Sequence, residues 1–383
     1  MRIGVLAQPL LEPSAGITYF TKGILDELIK QDKKDTFDLF LFRLFPKSKI
    51  FMFGRQRKNF RYRYQRLFPF KVYYKLHKWG INIPLELFFG SHDLYFFPNF
   101  TLYPHRRGRS VVVVHDLSFE KVPQFVFKKN VEFLQKFVPP SVAQADRVVA
   151  ISQNTKQDLI ETYGVPEKKI SIVNPGVDLK VFKPQSESEI AKVKKKYGIE
   201  RPFVLYLGTL DPRKNVAALV RAYAALRDQG RYQLVLAGKV GWMHEKRVYG
   251  EVFEVVGKLG LKDDVVFTGY VPDEDRPKLL SACEVFVFPS LFEGFGMPVV
   301  EAQACGAPVV TSNVTSLPEA GGNGALYVEP TNLGQLTRAL EDVLGKPALR
   351  ESLRKKGLAN ARRHTWAKSA KKMMKVFESV SSL

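Results

Sequence analysis

One pattern constrains this chain more than any other. Short apolar runs recur along it, and a stretch of helical spacing follows most of them. The runs are Ile3–Ala7, Phe37–Phe42, Leu94–Phe97, Val111–His115, Arg147–Ile151 and Ile170–Val173, then Phe203–Leu207, Gln233–Ala237, Val265–Thr268, Val285–Phe288, Pro308–Thr311 and Ala325–Val328. They are continuous in Val, Ile, Leu and Phe rather than alternating with polar residues, which is how strands covered on both faces read. Strand–helix alternation predicts parallel sheets with helices on either side. So many strands overfill one sheet, and 383 residues suit two domains. The segment NPGVDLKVFKP, Asn174 to Pro184, has Pro, Gly and no helical period, so it reads as the break. The expected fold is α/β: two Rossmann-like, doubly wound domains, 1–178 and 179–365, facing a central crevice. In such sheets ligands bind in loops beyond the carboxyl ends of the strands.

Composition narrows the class. The chain is 45% hydrophobic and 25% charged, which excludes a disordered, collagenous or disulfide-stapled protein. Its two cysteines, Cys283 and Cys305, suit a reducing compartment and read as small buried hydrophobes. The start, MRIGVLAQPL, reads as a buried strand rather than a signal peptide, and no apolar window is long enough to span a bilayer. A cytoplasmic address, peripheral at the inner face of a membrane, is the expectation.

The formal charge is +21, and its excess is local. Between Asp38 and Glu86 stand twelve Lys/Arg and no acid. Within 53–80, Arg61, Arg63, Arg66, Lys71 and Lys75 interleave with aromatics such as Tyr62, Tyr64, Phe68 and Trp79. That mixture suits an anionic membrane surface, single-stranded nucleic acid, or a solvated basic helix with its aromatics in the core. No nucleic-acid motif occurs elsewhere, so no nucleic-acid partner is expected and the membrane surface is favoured.

Candidate chemistry sits where strands end. Glu12 to Thr18 holds Gly16 in a strand-to-helix turn before a helical run from Tyr19, where backbone N–H groups can approach an anion. It is not GxGxxG, which disfavours a plain dinucleotide fold. His115-Asp116 ends the fourth run, and the histidine could donate a hydrogen bond to a substrate hydroxyl or phosphate. GTLDPRKN, 208–215, places Arg213 and Lys214 beside a glycine turn at a helix start, a pairing suited to a diphosphate. Phe288 to Ala302 runs from a strand through a glycine-rich loop into a helix beginning near Met297, with Pro298 in its first turn. It carries Glu293 and Glu301, whose carboxylates are good acceptors for sugar and ribose hydroxyls.

Glu293 and Glu301 fit the E-x7-E pattern of retaining glycosyltransferases with the GT-B fold, specifically glycosyltransferase family 4. The resemblance covers nearly the whole chain: the Gly16 loop, VVVHDLSF at 112–119, VVAISQNTKQDL at 148–159, NPGVD at 174–178, GTLDPRKN, PSLFEGFGMPVVEAQACGAPVV at 289–310 and SLPE at 316–319. It implies metal-independent transfer of a sugar, with retained anomeric configuration, from a nucleotide-sugar donor to an acceptor in the amino-terminal domain. The segments VHDLSF and GTLDPRKN look like those of members that use GDP-mannose, favoured over UDP-sugars, in cell-surface glycan assembly. The acceptor would be a glycan, lipid-linked if the basic stretch docks on membrane.

By resemblance, Glu301 would bind the donor ribose, while Glu293 and the backbone of Gly294, Phe295, Gly296 and Met297 would hold the donor sugar. Lys214 with Arg213 would neutralise the leaving diphosphate. Gly16 would let its loop approach the diphosphate and acceptor, His115 would lie near the reacting centre, and Glu319 near the donor pocket. A last helix, about 366–383, would cross back onto the first domain. One departure stands out: some relatives have Arg where this chain has Thr209, which leaves the second phosphate cation open. Asp273-Glu274-Asp275 spells a metal-type D-x-D but reads as an acidic helix start, so no metal is expected. The competing readings are a GT-B-fold epimerase or phosphorylase, and a non-enzymatic basic binding protein.

Overall fold

The computed structural model describes residues 1–11, 16–42, 58–226, 228–239 and 246–382. They divide into two compact units: Met1–Gly176 with Trp366–Leu383, and Val177–Thr365.

In the first unit, strands β1 (Arg2–Leu6), β2 (Thr36–Phe42), β3 (Phe60–Gln65), β4 (Leu94–Phe97), β5 (Arg109–Val114), β6 (Arg147–Ala150) and β7 (Ile170–Ile172) are described. They pair in parallel in the order β3-β2-β1-β4-β5-β6-β7. The six expected runs all became strands, with ends shifted by one or two residues. The seventh, β3, was not expected. It lies at the sheet's edge, pairs on one side with β2, and buries Phe60 while Arg61, Arg63 and Tyr64 stay exposed. An edge strand needs no continuous apolar run. The basic stretch is therefore a strand, Phe60–Gln65, followed by a helix, Phe70–Lys78, rather than one helix. Its first residues, 53–57, lie outside the described residues.

The helix Trp366–Ser381 packs in this unit against the helix Gly16–Gln31, and Gly23 explains how closely. A Cβ at Gly23 would stand 2.3 Å from the Trp366 indole, so only glycine admits that ring. Trp366 also meets Phe20 edge-on at 6.1 Å, and Phe377 meets Phe96 at 5.4 Å.

In the second unit, β8 (Phe203–Leu207), β9 (Gln233–Ala237), β10 (Val265–Gly269), β11 (Val285–Phe288), β12 (Val309–Ser312) and β13 (Ala325–Val328) form a parallel sheet. The order is β10-β9-β8-β11-β12-β13. All but β10 are buried throughout, except Leu326 and Tyr327 in β13. Both sheets reverse their winding once, between β1 and β4 and between β8 and β11. At such a switch point the loops diverge and leave a crevice beyond the strand ends. The loops after β8 and β11 are GTLDPRKN and the E-x7-E segment. Among the described residues, no helix is long and apolar enough to cross a membrane.

Candidate active site

At the second unit's switch point, local chain chemistry aims two cations. The Asp211 carboxylate accepts from Arg213 N at 2.9 Å and opens a single tight turn, Pro212–Lys214. Asn215, at φ +56°, closes the turn in the left-handed region that Asn tolerates. The turn is pinned to the next loop, where Leu291 N donates to Arg213 O at 2.8 Å. Arg213 donates to the Phe292 carbonyl, and its guanidinium stands 3.5 Å from Glu293. Lys214 Nζ lies 2.5 Å from Glu293 Oε1 and 5.0 Å from the centre of the Phe288 ring.

Glu293 is buried and held from several sides. The Ser290 hydroxyl donates to its carboxylate at 2.6 Å. Its own N–H donates to Thr315 Oγ1, and Ser316 Oγ donates to its carbonyl. Burial alone would raise the Glu293 pKa. The charges of Lys214 and Arg213, with the Lys214 and Ser290 hydrogen bonds, outweigh burial and hold it below the ordinary value. Burial in turn pulls the Lys214 ammonium down, against the opposing charge of Glu293.

Gly294, Phe295 and Gly296 are buried after Glu293, and Met297 opens the helix Met297–Ala304 with Pro298 in its first turn. Gly296 has φ +107°, and a Cβ there would meet Leu317 at 2.8 Å, so the turn into that helix requires glycine. Glu301 lies inside the helix, buried, and its cation is Arg276, which donates to its carboxylate. Arg276 also reaches Asp273 at 3.3 Å. Here burial prevails over the Arg276 charge, and the Glu301 pKa is raised. Each glutamate of the pair therefore has its own cation. Glu319 stands in the first turn of the helix Leu317–Gly321.

Arg276 was missed in the sequence, as were Ser290, Thr315 and Ser316. Its available signal was a cation directly after Asp273-Glu274-Asp275. That triplet does precede a helix, Arg276–Ala282. Asp275 is engaged by Lys196, Tyr197 and Lys278. No group of three or more His, Cys, Asp or Glu able to hold a metal occurs among the described residues. Cys283 and Cys305 are free and buried, and burial pushes both thiols up.

In the first unit, His115 follows β5 and is buried. Its Nε2 lies 2.8 Å from the Pro98 carbonyl, and Phe20 and Phe100 flank the ring at 5.1 and 5.3 Å. A carbonyl can only accept, so Nε2 carries the proton. Burial lowers the pKa and keeps the ring neutral. The expectation that His115 donates to substrate is corrected accordingly: its donor is already engaged, and the neutral ring offers Nδ1 as an acceptor. Gly16 is the first residue of the helix Gly16–Gln31, not part of a turn before Tyr19. Among the described residues, nothing lies within 4 Å of a Cβ there. Residues 12–15 of its loop lie outside the described residues. Arg61 and Arg63 stand on β3, Arg66 follows it, and Lys71 and Lys75 lie on the helix Phe70–Lys78, all exposed. Of the aromatics beside them, Phe60 and Tyr73 are buried, whereas Trp79 is 71% exposed.

Two parallel α/β units, the second with paired cations and carboxylates at its switch point, define a GT-B glycosyltransferase. Residues 46–181 match Glycosyltransferase Family 4, and residues 189–359 match Glycosyl transferases group 1. The chain is 35% identical over 276 residues to the O-antigen chain mannosyltransferase B of Escherichia coli, covering 71% of each. It therefore belongs to glycosyltransferase family 4. It is also 34% identical over 232 residues to the serotype-specific mannosyltransferase WbdA of Escherichia coli, covering 59% of this chain and 28% of that one. Its fold is that of sucrose-phosphate synthase from Thermosynechococcus elongatus, with a TM-score of 0.75 at 20% identity over 100% of this chain and 99% of that one.

Proposed function

We propose that this enzyme moves a mannosyl group from GDP-mannose to a growing cell-surface glycan, lipid-linked at its far end, with retained configuration and without a metal. One observation carries the reading: a partly buried lysine, Lys214, paired with buried Glu293 and flanked by Arg213, at the switch point of the second unit. Breaking the bond between sugar and nucleoside diphosphate leaves new negative charge on the β-phosphate. Two cations held at this turn are placed to stabilise that charge, Arg213 beside it and Lys214 once the diphosphate draws it from Glu293. They stand where a metal ion would otherwise serve.

Donor binding turns Lys214 from Glu293 to the diphosphate, and Glu293 then accepts from hydroxyls of the donor sugar. Glu301, held by Arg276, accepts from the ribose diol. The acceptor hydroxyl attacks from the face the diphosphate leaves, and a phosphate oxygen takes its proton, so no protein nucleophile is required. The mannosyltransferase relatives at 35% and 34% identity support mannose. Peripheral docking on the cytoplasmic leaflet is supported by Arg61, Arg63, Arg66, Lys71 and Lys75, and by Leu67, 92% exposed, and Trp79 beside them.

A panel of GDP-mannose, UDP-glucose, UDP-N-acetylglucosamine and UDP-galactose tests this by melting shift and by hydrolysis, with and without EDTA. GDP-mannose should raise the melting temperature by mass action and turn over equally in EDTA. A response to a UDP-sugar alone would replace the donor. Loss of turnover in EDTA would overturn the metal-free reading.

A further inference from the structure

Among the described residues, three other than glycine hold positive φ: Phe100 at +51° in the loop after β4, Asn215 at +56°, and Thr315 at +52°. Asparagine tolerates that region. Thr315 is strained in it, because a β-branched side chain crowds its own backbone there. It lies in the loop between β12 and the helix Leu317–Gly321. That loop is fastened at both ends. Asn313 N donates to the Val328 carbonyl at 2.9 Å, and Ala320 N donates to the Ser316 carbonyl at 3.0 Å. The surroundings therefore hold the strain in place, as they do at sites that use it.

What the strained loop delivers is a grip on one turn. Thr315 Oγ1 accepts from Glu293 N at 3.2 Å, and buried Ser316 donates through Oγ to the Glu293 carbonyl at 2.8 Å. Leu317, fully buried, stands 2.8 Å from where a Cβ at Gly296 would be. Residues 315–317 thus hold the backbone of 293–296, two of them at Glu293 itself. Ser290 and Lys214 hold Glu293 differently, by its carboxylate. On the proposed reading, donor binding draws Lys214 away. The backbone grip is untouched when that ion pair opens.

We propose that Thr315 is a positioning residue: its strained backbone carries its hydroxyl to the Glu293 N–H and keeps Glu293 in place once Lys214 has turned to the diphosphate. The proposal rests on the glycosyltransferase reading of Glu293 and adds a residue outside the E-x7-E segment. It separates two quantities that a packing role would join. Stability should follow the backbone, because glycine adopts this φ without steric strain. Turnover should follow the hydroxyl, because a small misplacement of a group that meets substrate is costly in rate.

The test uses the full chain. Turnover is read with GDP-mannose, or with whichever nucleotide sugar of the panel turns over. Amide hydrogen exchange of residues 291–296 is read by mass spectrometry with no donor present. Thr315→Val keeps the branch and the strain but lacks the hydroxyl, and should melt below wild type. Thr315→Gly lacks both, so relief of strain offsets the lost hydrogen bond and its melting temperature should stay near that of wild type. In both variants kcat should fall about 10- to 100-fold, well beyond any rise in donor KM. Exchange at the Glu293 N–H should rise about fivefold in both, the worth of one hydrogen bond. Thr315→Ser is the rescue: it keeps the hydroxyl, so kcat and exchange should stay within about twofold of wild type. Unchanged kcat and exchange in the glycine variant would overturn the proposal, and so would a serine variant as slow as the valine one. Either would make Thr315 a packing residue. If no nucleotide sugar turns over in wild type, the donor reading fails, and exchange in the three variants alone decides whether Thr315 holds Glu293.

Discussion

The two switch points share a topology and differ in almost everything else. In the second unit, four charged side chains are drawn into two partly buried ion pairs, Lys214 with Glu293 and Arg276 with Glu301. Beyond β1 and β4, the described residues that wall a cavity are aromatic, aliphatic and neutral polar, none of them charged, and the nearby His115 is kept neutral by burial. Parallel sheets with a winding reversal provide a place for a ligand but no chemistry; the loops supply that. On the proposed reading, the second unit's site is suited to charge that appears during reaction.

The contrast breaks most visibly at Glu293 and Lys214. Glu293→Ala should abolish measurable transfer while the protein still folds, and full activity would remove its assigned role. Lys214→Ala should cut kcat by about 100-fold or more, because one preorganised donor at a developing anion is worth that much. Donor KM should change less than kcat if Lys214 acts on the leaving charge. A rise in KM with kcat intact would mean that it only binds ground-state phosphate.

Arg276 sharpens the comparison, since its pair differs in sign from that of Glu293. The cations beside Glu293 more than cancel burial, whereas Arg276 only reduces what burial does to Glu301. On the proposed reading, Glu301 accepts from both ribose hydroxyls most strongly when ionised. Its raised pKa means donor affinity falls as pH drops through that value. Arg276→Leu leaves burial unopposed, so the fall should move to higher pH. Donor KM should then rise at the acid end of the profile and recover on alkaline titration. A pH-independent increase would instead mark Arg276 as a packing residue.

Which of these features were readable beforehand follows from what makes each one. The strands covered on both faces wrote themselves as apolar runs, and the helix start at Met297 followed from Gly296 and Pro298. Glu293 and Lys214 stood in contiguous motifs. Arg276 did not, because its importance arises from a contact with Glu301, 25 residues further on. Nor could the sequence say that the His115 donor is taken by Pro98, since that bond depends on a strained loop from another strand. The edge strand β3 was missed for a related reason: one of its faces needs no apolar residue.

That edge strand yields the smallest expected effect. Arg61 and Arg63 lie on β3 and stay exposed, so each would meet an anionic surface through water rather than through a built pocket. A cation near such a surface contributes about 1 kcal/mol, which is about fivefold in binding. Arg63→Ser should therefore weaken co-sedimentation with phosphatidylserine vesicles about fivefold in low salt, and less at physiological ionic strength, where screening shortens its reach. Trp79→Ser should also lower binding, but by an amount nearly independent of salt, because burying an indole in the headgroup region is not a Coulomb term. Equal salt dependence for both variants would indicate that Trp79 does not enter the bilayer. Loss in neither would return β3 to an ordinary solvated edge, whose cations serve to keep it from pairing with another chain.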